Sequence, residues 1–238
     1  MDAGLWFRRF CEAPDGAPRL VCFPHAGGAA SWYQPFAQAF QGRAELNAVQ
    51  YPGRQDRRSE PLIDDIRRLA DEIAPRLTRD RPLHLLGHSM GAMIAFEVAL
   101  RHEPDHLFVS GRRAPQIVRD DRVHQRDDAG LIAEVRKLAG TNAQVFDDEE
   151  LVRMVLPAIR ADYRAAETYR YRPGPPLGCP LTALTGDADP KASVDEVERW
   201  RERTTGPFAL KVFPGGHFFL SDNRSAVTAV VSGETPSA

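Results

Sequence analysis

The sequence predicts an α/β fold: a mostly parallel, doubly wound sheet carrying an inserted helical lid. Three features predict it. Short apolar runs rich in β-branched or aromatic residues recur without polar alternation, the pattern of strands covered on both faces. Helical stripes lie between them, so strand and helix alternate. One long stretch, 112–176, holds helical patterns and no strand-like run.

The strand-like runs are Arg19–Phe23, Leu46–Gln50, Leu83–Leu86, Leu107–Ser110, Leu181–Thr185 and Leu210–Phe213. Between them, Ile63–Leu77 sets Ile63, Ile66, Leu69, Ala70, Ile73 and Leu77 on one helical stripe. Gly91–Arg101 and Val194–Arg203 also read as helices, the second opened by Ser193 with Glu196 three residues on as a capping box. In the long stretch, Leu131–Leu138 and Glu149–Tyr169 read as helices. Proline and glycine bound it, in Ala114-Pro115 and in Pro173-Gly174-Pro175-Pro176. It lies between two core strands, on the side where ligands collect at the carboxyl ends of a sheet. A cap over a site is therefore expected there, in preference to a pair of packing helices. The expected division is a core from 1–111 and 177–238, with the lid at 112–176. The tail Ser232–Ala238 is expected to be disordered.

Composition narrows the function. A chain of 238 residues, 42% hydrophobic and 27% charged, can bury a real core and is neither fibrous nor disordered. A net charge of -2 leaves no basic field for nonspecific nucleic-acid binding. Cys11, Cys22 and Cys179 are odd in number, sparse and without a CxxC, which suits a reducing compartment. The segment Met1–Cys11 carries two arginines inside its apolar stretch, unlike a signal peptide or anchor. Met90–Leu100 is too short to span a bilayer and contains Glu97. A cytoplasmic location is expected. No GxxxxGK[ST] or GxGxxG is present to cradle phosphate.

The chemistry-bearing signal is Gly87-His88-Ser89-Met90-Gly91, a G-x-S-x-G between a strand and a helix. A serine on such a tight turn takes strained dihedrals and projects its hydroxyl clear of the sheet. Ser89 is the candidate nucleophile. A hydroxyl needs a base, and the base needs an acid to hold its tautomer, in the chain order serine, acid, histidine. Among seven histidines, only His217 follows the last strand, in Phe213-Pro214-Gly215-Gly216-His217, so it is the candidate base. His25 and His88 sit at turns, His84 lies in a strand, and His102, His106 and His124 are expected to be solvated. Two aspartates follow the strand Leu181–Thr185. Asp189, followed by Pro190, is assigned as the acid, whereas Asp187 is read as a turn stabiliser and Asp222 as a residue that opens a helix. An oxyanion hole needs two backbone N–H groups. Met90, after the nucleophile, is one candidate, and Ala26 in Pro24-His25-Ala26-Gly27-Gly28-Ala29 is the other.

With these residues in place, the chain resembles the type II thioesterases of polyketide and nonribosomal peptide synthesis, members of the α/β-hydrolase fold. The resemblance covers nearly the whole chain. It rests on Phe23–Gly28, Tyr51–Arg57, Gly87–Gly91, Ser110–Pro115, Arg160–Tyr163, Thr185–Pro190 and Pro214–Phe219, seven motifs in the family's order. One departure is the connection between Arg101 and Leu107, shorter than the family's usual Gly/Pro-bearing one. The resemblance implies the same triad, Ser89, Asp189 and His217, and the same amides, Ala26 and Met90. It implies removal of short or stalled acyl groups from the phosphopantetheine thiol of acyl or peptidyl carrier proteins. No metal and no dissociable cofactor is then expected, since phosphopantetheine belongs to the partner. Nor is nucleic acid or membrane expected as a partner, and the chain is expected to be a monomer. Arginines near the pocket, Arg112-Arg113 or others on the lid, are expected to steer an acidic carrier. The rival readings are a generic carboxylesterase, a noncatalytic acyl-carrier binding protein and a chain-releasing domain excised from a synthase. The start at Met1 is read against the last.

Overall fold

A computed structural model describes residues 3–139 and 148–234. The strands are β1 (Phe7–Cys11), β2 (Arg19–Phe23), β3 (Glu45–Val49), β4 (Leu83–His88), β5 (His106–Ser110), β6 (Leu181–Gly186) and β7 (Phe208–Phe213). They form one sheet in the order β1-β3-β2-β4-β5-β6-β7, parallel except for β1, which runs antiparallel to β3. The helices are α1 (Ala3–Trp6), α2 (Ala37–Phe40), α3 (Ile66–Ile73), α4 (Met90–Ala99), α5 (Asp128–Ala139), α6 (Glu149–Thr168), α7 (Val194–Glu198), α8 (Phe219–Asp222) and α9 (Arg224–Val231). Among the described residues, no helix is long and apolar enough to cross a membrane.

The absence of polar alternation has the expected cause. Along β2, Val21 and Phe23 enter the core under α3 and α4, while Leu20 and Cys22 enter the opposite core under α2 and α9. In β5, Leu107 and Val109 face the first core and Phe108 the second. Each fully buried side chain of this kind stabilises the fold by roughly 1.5–3 kcal/mol. The expected α3 is shorter than its apolar stripe. Asp65 caps it by accepting from the Arg68 N–H at 2.9 Å, and Pro75 turns its end into a tight 3-10 turn at Ala74–Arg76. Likewise Val194–Arg203 is α7 followed by a 3-10 turn. The Ser193–Glu196 capping box is present.

Several elements were not expected. β1 is one: an edge strand whose Phe7-Arg8-Arg9-Phe10 does not alternate, with Phe7 packed on one core, Phe10 on the other and Arg9 exposed. Others are helices α1, α2, α8 and α9 and the 3-10 segments Ala30–Phe36, Gln55–Arg57 and Val123–Gln125. Asp222 closes α8 and does not open a helix, since α9 begins after Asn223. Ser232–Glu234 are ordered: the Ser232 and Glu234 amides close α9, and Glu234 pairs with Arg43 at 2.7 Å. The remaining tail, 235–238, lies outside the described residues. The short connection after α4 is closed by its own carboxylates. Glu103 accepts from the Gly178 and Cys179 amides at 2.5 and 3.1 Å, and Asp105 accepts from the Leu83 amide at 2.8 Å.

Helices α5 and α6 occupy the insertion between β5 and β6, with 140–147 outside the described residues. They share a small apolar cluster of their own, Val123, Leu131, Leu156 and Ile159. The insertion is tied to the body near the C-terminal end of α6, where the Tyr169 hydroxyl donates to Glu97 on α4 at 2.8 Å. At its other boundary, the Trp200 indole N–H donates to the Arg112 carbonyl at 2.7 Å.

Chain order reverses at the pair β2 and β4: the chain leaves β2 toward β3 on one side and reaches β4 on the other. A crevice opens at their carboxyl ends. Two glycines let the backbones meet there. A Cβ on Gly91 would stand 2.0 Å from the Phe23 carbonyl oxygen, and one on Gly87 would stand 2.2 Å from the Gly91 oxygen. These are backbone atoms with no side chain to swing away. Gly91→Ala is therefore expected to lower stability by about 3 kcal/mol. Gly174→Ala, where a Cβ meets nothing within 4 Å, is expected to stay within about 0.5 kcal/mol of the parent in urea unfolding. Equal effects of the two substitutions would refute this account of the crevice.

Candidate active site

Ser89 sits at the tip of the turn between β4 and α4 with φ 55 and ψ −115. That left-handed conformation is rare for a residue with a Cβ and is held from both sides. The Ser89 N–H donates to the Ser110 carbonyl at the end of β5 at 2.8 Å, and the Ser89 carbonyl accepts from the Ala92 N–H at 3.1 Å. The side chain is thereby turned away from the sheet.

Two further loops bring partners to it. The Ser89 hydroxyl lies 2.9 Å from His217 Nε2, and His217 Nδ1 lies 3.0 and 2.9 Å from the two oxygens of Asp189. An N–H on Nδ1 donating to the carboxylate leaves Nε2 as the acceptor for the serine hydroxyl. Asp189 is 8% exposed and His217 5%. Asp189 also accepts from the Lys191 amide at 2.8 Å, which fixes its rotamer. Asp187 has the expected different place. It is exposed, and its carboxylate accepts from the Gly215 amide at 2.9 Å, stitching the loop after β6 to the loop that carries His217.

Ala26 and Met90 border a cavity of about 650 Å³ beside Ser89 and His217. Among the described residues, neither of their amides donates a hydrogen bond within the protein. The far wall of the cavity comes from the insertion, through Val135, Leu138, Val155, Ile159 and Tyr163. No cluster of three or more His, Cys, Asp or Glu that could hold a metal ion occurs among the described residues.

Comparison with known proteins agrees with this geometry. Residues 18–233 match the family model described as a thioesterase domain. The chain belongs to the thioesterase family. It is 52% identical to a probable cadicidin biosynthesis thioesterase of Streptomyces griseus over 97% of this chain and 66% of that one. It is 49% identical to thioesterase PikA5 of Streptomyces venezuelae, over 93% of this chain and 82% of that one. The solved structure of BorB, a type II thioesterase from the borrelidin biosynthetic cluster, superposes with a TM-score of 0.88 at 51% identity, covering 96% of each chain. The fold is accordingly that of the α/β-hydrolases, and this thioesterase is a hydrolase acting on thioesters, grouped with the type II members.

Behind His217, the thioesterase packs residues whose presence at the site no pattern foretold. His88 is fully buried, its ring 5.2 Å from that of His217 and stacked on Trp32 at 5.5 Å. His25 meets Trp32 and Phe218 edge-on at 5.0 and 4.9 Å. The expectation of solvated histidines fails for His106 and His124. His106 stacks on Phe108 at 4.0 Å and shares a hydrogen bond with Thr182, while His124 is clasped by Glu167 at 2.5 Å. His102 is half-buried too. A polar sequence neighbourhood misled here because strand ends and turns pack polar side chains inward. Arg112-Arg113 also fails as a docking surface. Both follow β5 after Gly111, Arg113 is 5% exposed, and Arg112 lines the cavity with a hydrogen bond to the Ala166 carbonyl. Burial, then the neighbouring Arg113 charge, pushes Arg112 down to about 9.

Burial, then His217, then Arg54 push His25 down to about 3, and burial followed by the other two imidazoles holds His88 well below its ordinary value. Both rings are neutral in the folded state at neutral pH. A depressed imidazole pKa means that the unfolded chain takes up the proton first. For His25, stability is then intact above pH 6.5 and falls as the pH drops from 6.5 toward 3, by up to about 1.4 kcal/mol per pH unit, and His88 acts in the same direction. Thermal midpoints between pH 7 and 4 are expected to fall less steeply in His25→Gln than in the parent. An unchanged slope would exclude the ring as a source of acid sensitivity.

Proposed function

We propose that this thioesterase edits polyketide or nonribosomal peptide assembly lines. It hydrolyses short or aberrant acyl groups from the phosphopantetheine thiol of acyl or peptidyl carrier proteins through an acyl-enzyme on Ser89. The single observation that carries the reading is the hydrogen-bonded line from Ser89 through His217 to buried Asp189, opening onto a cavity walled in part by apolar side chains of the insertion. Support comes also from relatives named for such pathways, including BorB and YbtT, the latter a type II thioesterase of the yersiniabactin pathway at 31% identity.

In the proposed reaction, His217 takes the Ser89 proton as the hydroxyl oxygen adds to the thioester carbonyl. Asp189 holds the Nδ1–H tautomer and stabilises the imidazolium. The Ala26 and Met90 amides receive the oxyanion, each worth about 3 kcal/mol. The sulfur departs readily, since a thiol has a pKa of about 8.5, and it takes up the proton held by His217, which returns the imidazole to its neutral form. Water deprotonated by His217 then attacks the acyl-enzyme, and the proton returns to Ser89 as the acid leaves. The chemistry calls for no metal or dissociable cofactor. The segment 112–176 serves as the lid, its helices walling the acyl group. The location is cytoplasmic, where carrier proteins are loaded, and the chain acts as a monomer.

Hydrolysis of a panel of carrier-bound acyl thioesters is expected to exceed that of the matching free thioesters and oxygen esters. Ser89→Ala is expected to lower it on the order of 10⁴-fold or more and to retain an acyl-carrier complex without turnover. Equal turnover by parent and Ser89→Ala would remove Ser89 as nucleophile. A preference for oxygen esters would instead favour a carboxylesterase.

A further inference from the structure

A buried ion pair joins the insertion to the loop that carries Ala26. Asp162, on α6, is 1% exposed, and its carboxylate receives both Nη atoms of Arg54 at 2.6 and 2.9 Å. The same carboxylate accepts from the Gly27 N–H at 2.7 Å, and Arg54 Nη1 also donates to the Gly28 carbonyl at 3.1 Å. Neither charge touches Ser89, His217 or Asp189 in the hydrogen-bonded line. A fully desolvated pair of this kind adds little net stability over an apolar pair of the same shape, so its retention asks for another reason.

The geometry supplies one. A trans peptide points its C=O and the next N–H in opposite directions. The Gly28 N–H donates to the His25 carbonyl at 2.9 Å, which fixes the peptide between His25 and Ala26 and with it the direction of the Ala26 N–H. Asp162, by holding the Gly27 N–H, fixes the next peptide, between Ala26 and Gly27. Ala26 is thus pinned on both sides, the second time by a charge that comes from the insertion. Gly27 has φ +77, and a Cβ there would stand 2.9 Å from Ile159, so α6 lies directly on this turn. The segment after β3 braces the other flank. Gln50 accepts from the Ala30 N–H at 2.9 Å and donates to the Arg54 carbonyl at 3.1 Å, while the Tyr51 hydroxyl donates to the Pro24 carbonyl at 3.2 Å.

We infer that Asp162 and Arg54 are positioning residues for the oxyanion: the pair seats α6 on the Ala26 loop and aims the Ala26 amide. Correct placement of the insertion and a formed oxyanion site are therefore one event. The inference rests on the Ser89 acyl-enzyme reading and adds to it the control of one of its donors.

The test compares kinetics with binding of a trifluoromethyl ketone analogue of a short acyl chain. Ser89 Oγ adds to its carbonyl, the serine proton passes to His217, and the carbonyl oxygen becomes the oxyanion. In Asp162→Ala, kcat on a free acyl thioester is expected to fall about 100-fold, with KM held within about threefold. Affinity for the ketone is expected to fall by the same factor as kcat/KM, while affinity for the product carboxylic acid is unchanged. Arg54→Lys keeps the charge and loses the two-pronged bond. It is expected to lose about 10-fold by the same signature, and it carries the test if Asp162→Ala does not fold. A rise in KM with kcat kept, or a fall in kcat with ketone affinity kept, overturns the inference. A parent enzyme that binds the ketone no more tightly than the fluorine-free ketone would instead sink the oxyanion reading itself.

Discussion

One steric allowance underlies the site. At Gly91 the start of α4 passes so close to the end of β2 that no side chain fits between them. That approach sets the first turn of α4, with the Met90 amide, against the loop that begins at Pro24 and carries Ala26. Two backbone donors from segments more than sixty residues apart in sequence thereby border one cavity. The parallel pairing of β2 with β4 delivers both segments to the same edge, and the reversal of chain order at that pair leaves the edge open. The remaining parts are then a matter of loop length. The strands β6 and β7 end beside each other, and the Asp187 bond to Gly215 locks their loops together so that Asp189 and His217 face one another.

The electrostatics of the pocket divide into two kinds of burial. His25 and His88 are buried as neutral rings, pushed there by desolvation and by the proximity of a third imidazole. They add shape and aromatic contact near His217 without adding charge, so the carboxylate of Asp189 is the charged group hydrogen-bonded to that ring. Asp162 and Arg54 are buried charged, and they remain so because each satisfies the other with two bonds and spends its spare capacity on the backbone of one loop. Neutral burial suits a wall; charged burial suits a fastening.

Much of this was legible in the chain. The two-sided strands announced a covered parallel sheet, and Gly87–Gly91 announced the serine turn because strand, glycines and helix occur there in immediate succession. His217 was legible by position, as the histidine beyond the last strand. Three things were not. β1 is short, mixed in polarity and antiparallel, so neither length nor alternation separates it from a loop. The burial of His88, His106 and His124 depends on neighbours supplied by other elements, to which a local polarity reading is blind. The role of Asp162 was hidden for the same reason. An aspartate beside a tyrosine on an amphipathic helix looks solvated until its partner, 108 positions away, is known.

That long-range partner changes what the insertion means. A cap that only walls a pocket could drift in sequence wherever its apolar lining is kept, and the chemistry beneath would not notice. Here α6 contributes the lining through Ile159 and Tyr163, and between them, at Asp162, the fastening of the Ala26 loop. The helix positions 159, 162 and 163 share one face because three and four residues are about one turn. A shift of α6 that admits a bulkier acyl group must therefore also move the carboxylate that holds Gly27. In the proposed reaction, the size of the acyl group and the readiness of the oxyanion site are coupled through one rigid helix turn. Selectivity for short chains then needs no separate gate, since a chain too large for the seated helix would meet an incompletely formed site.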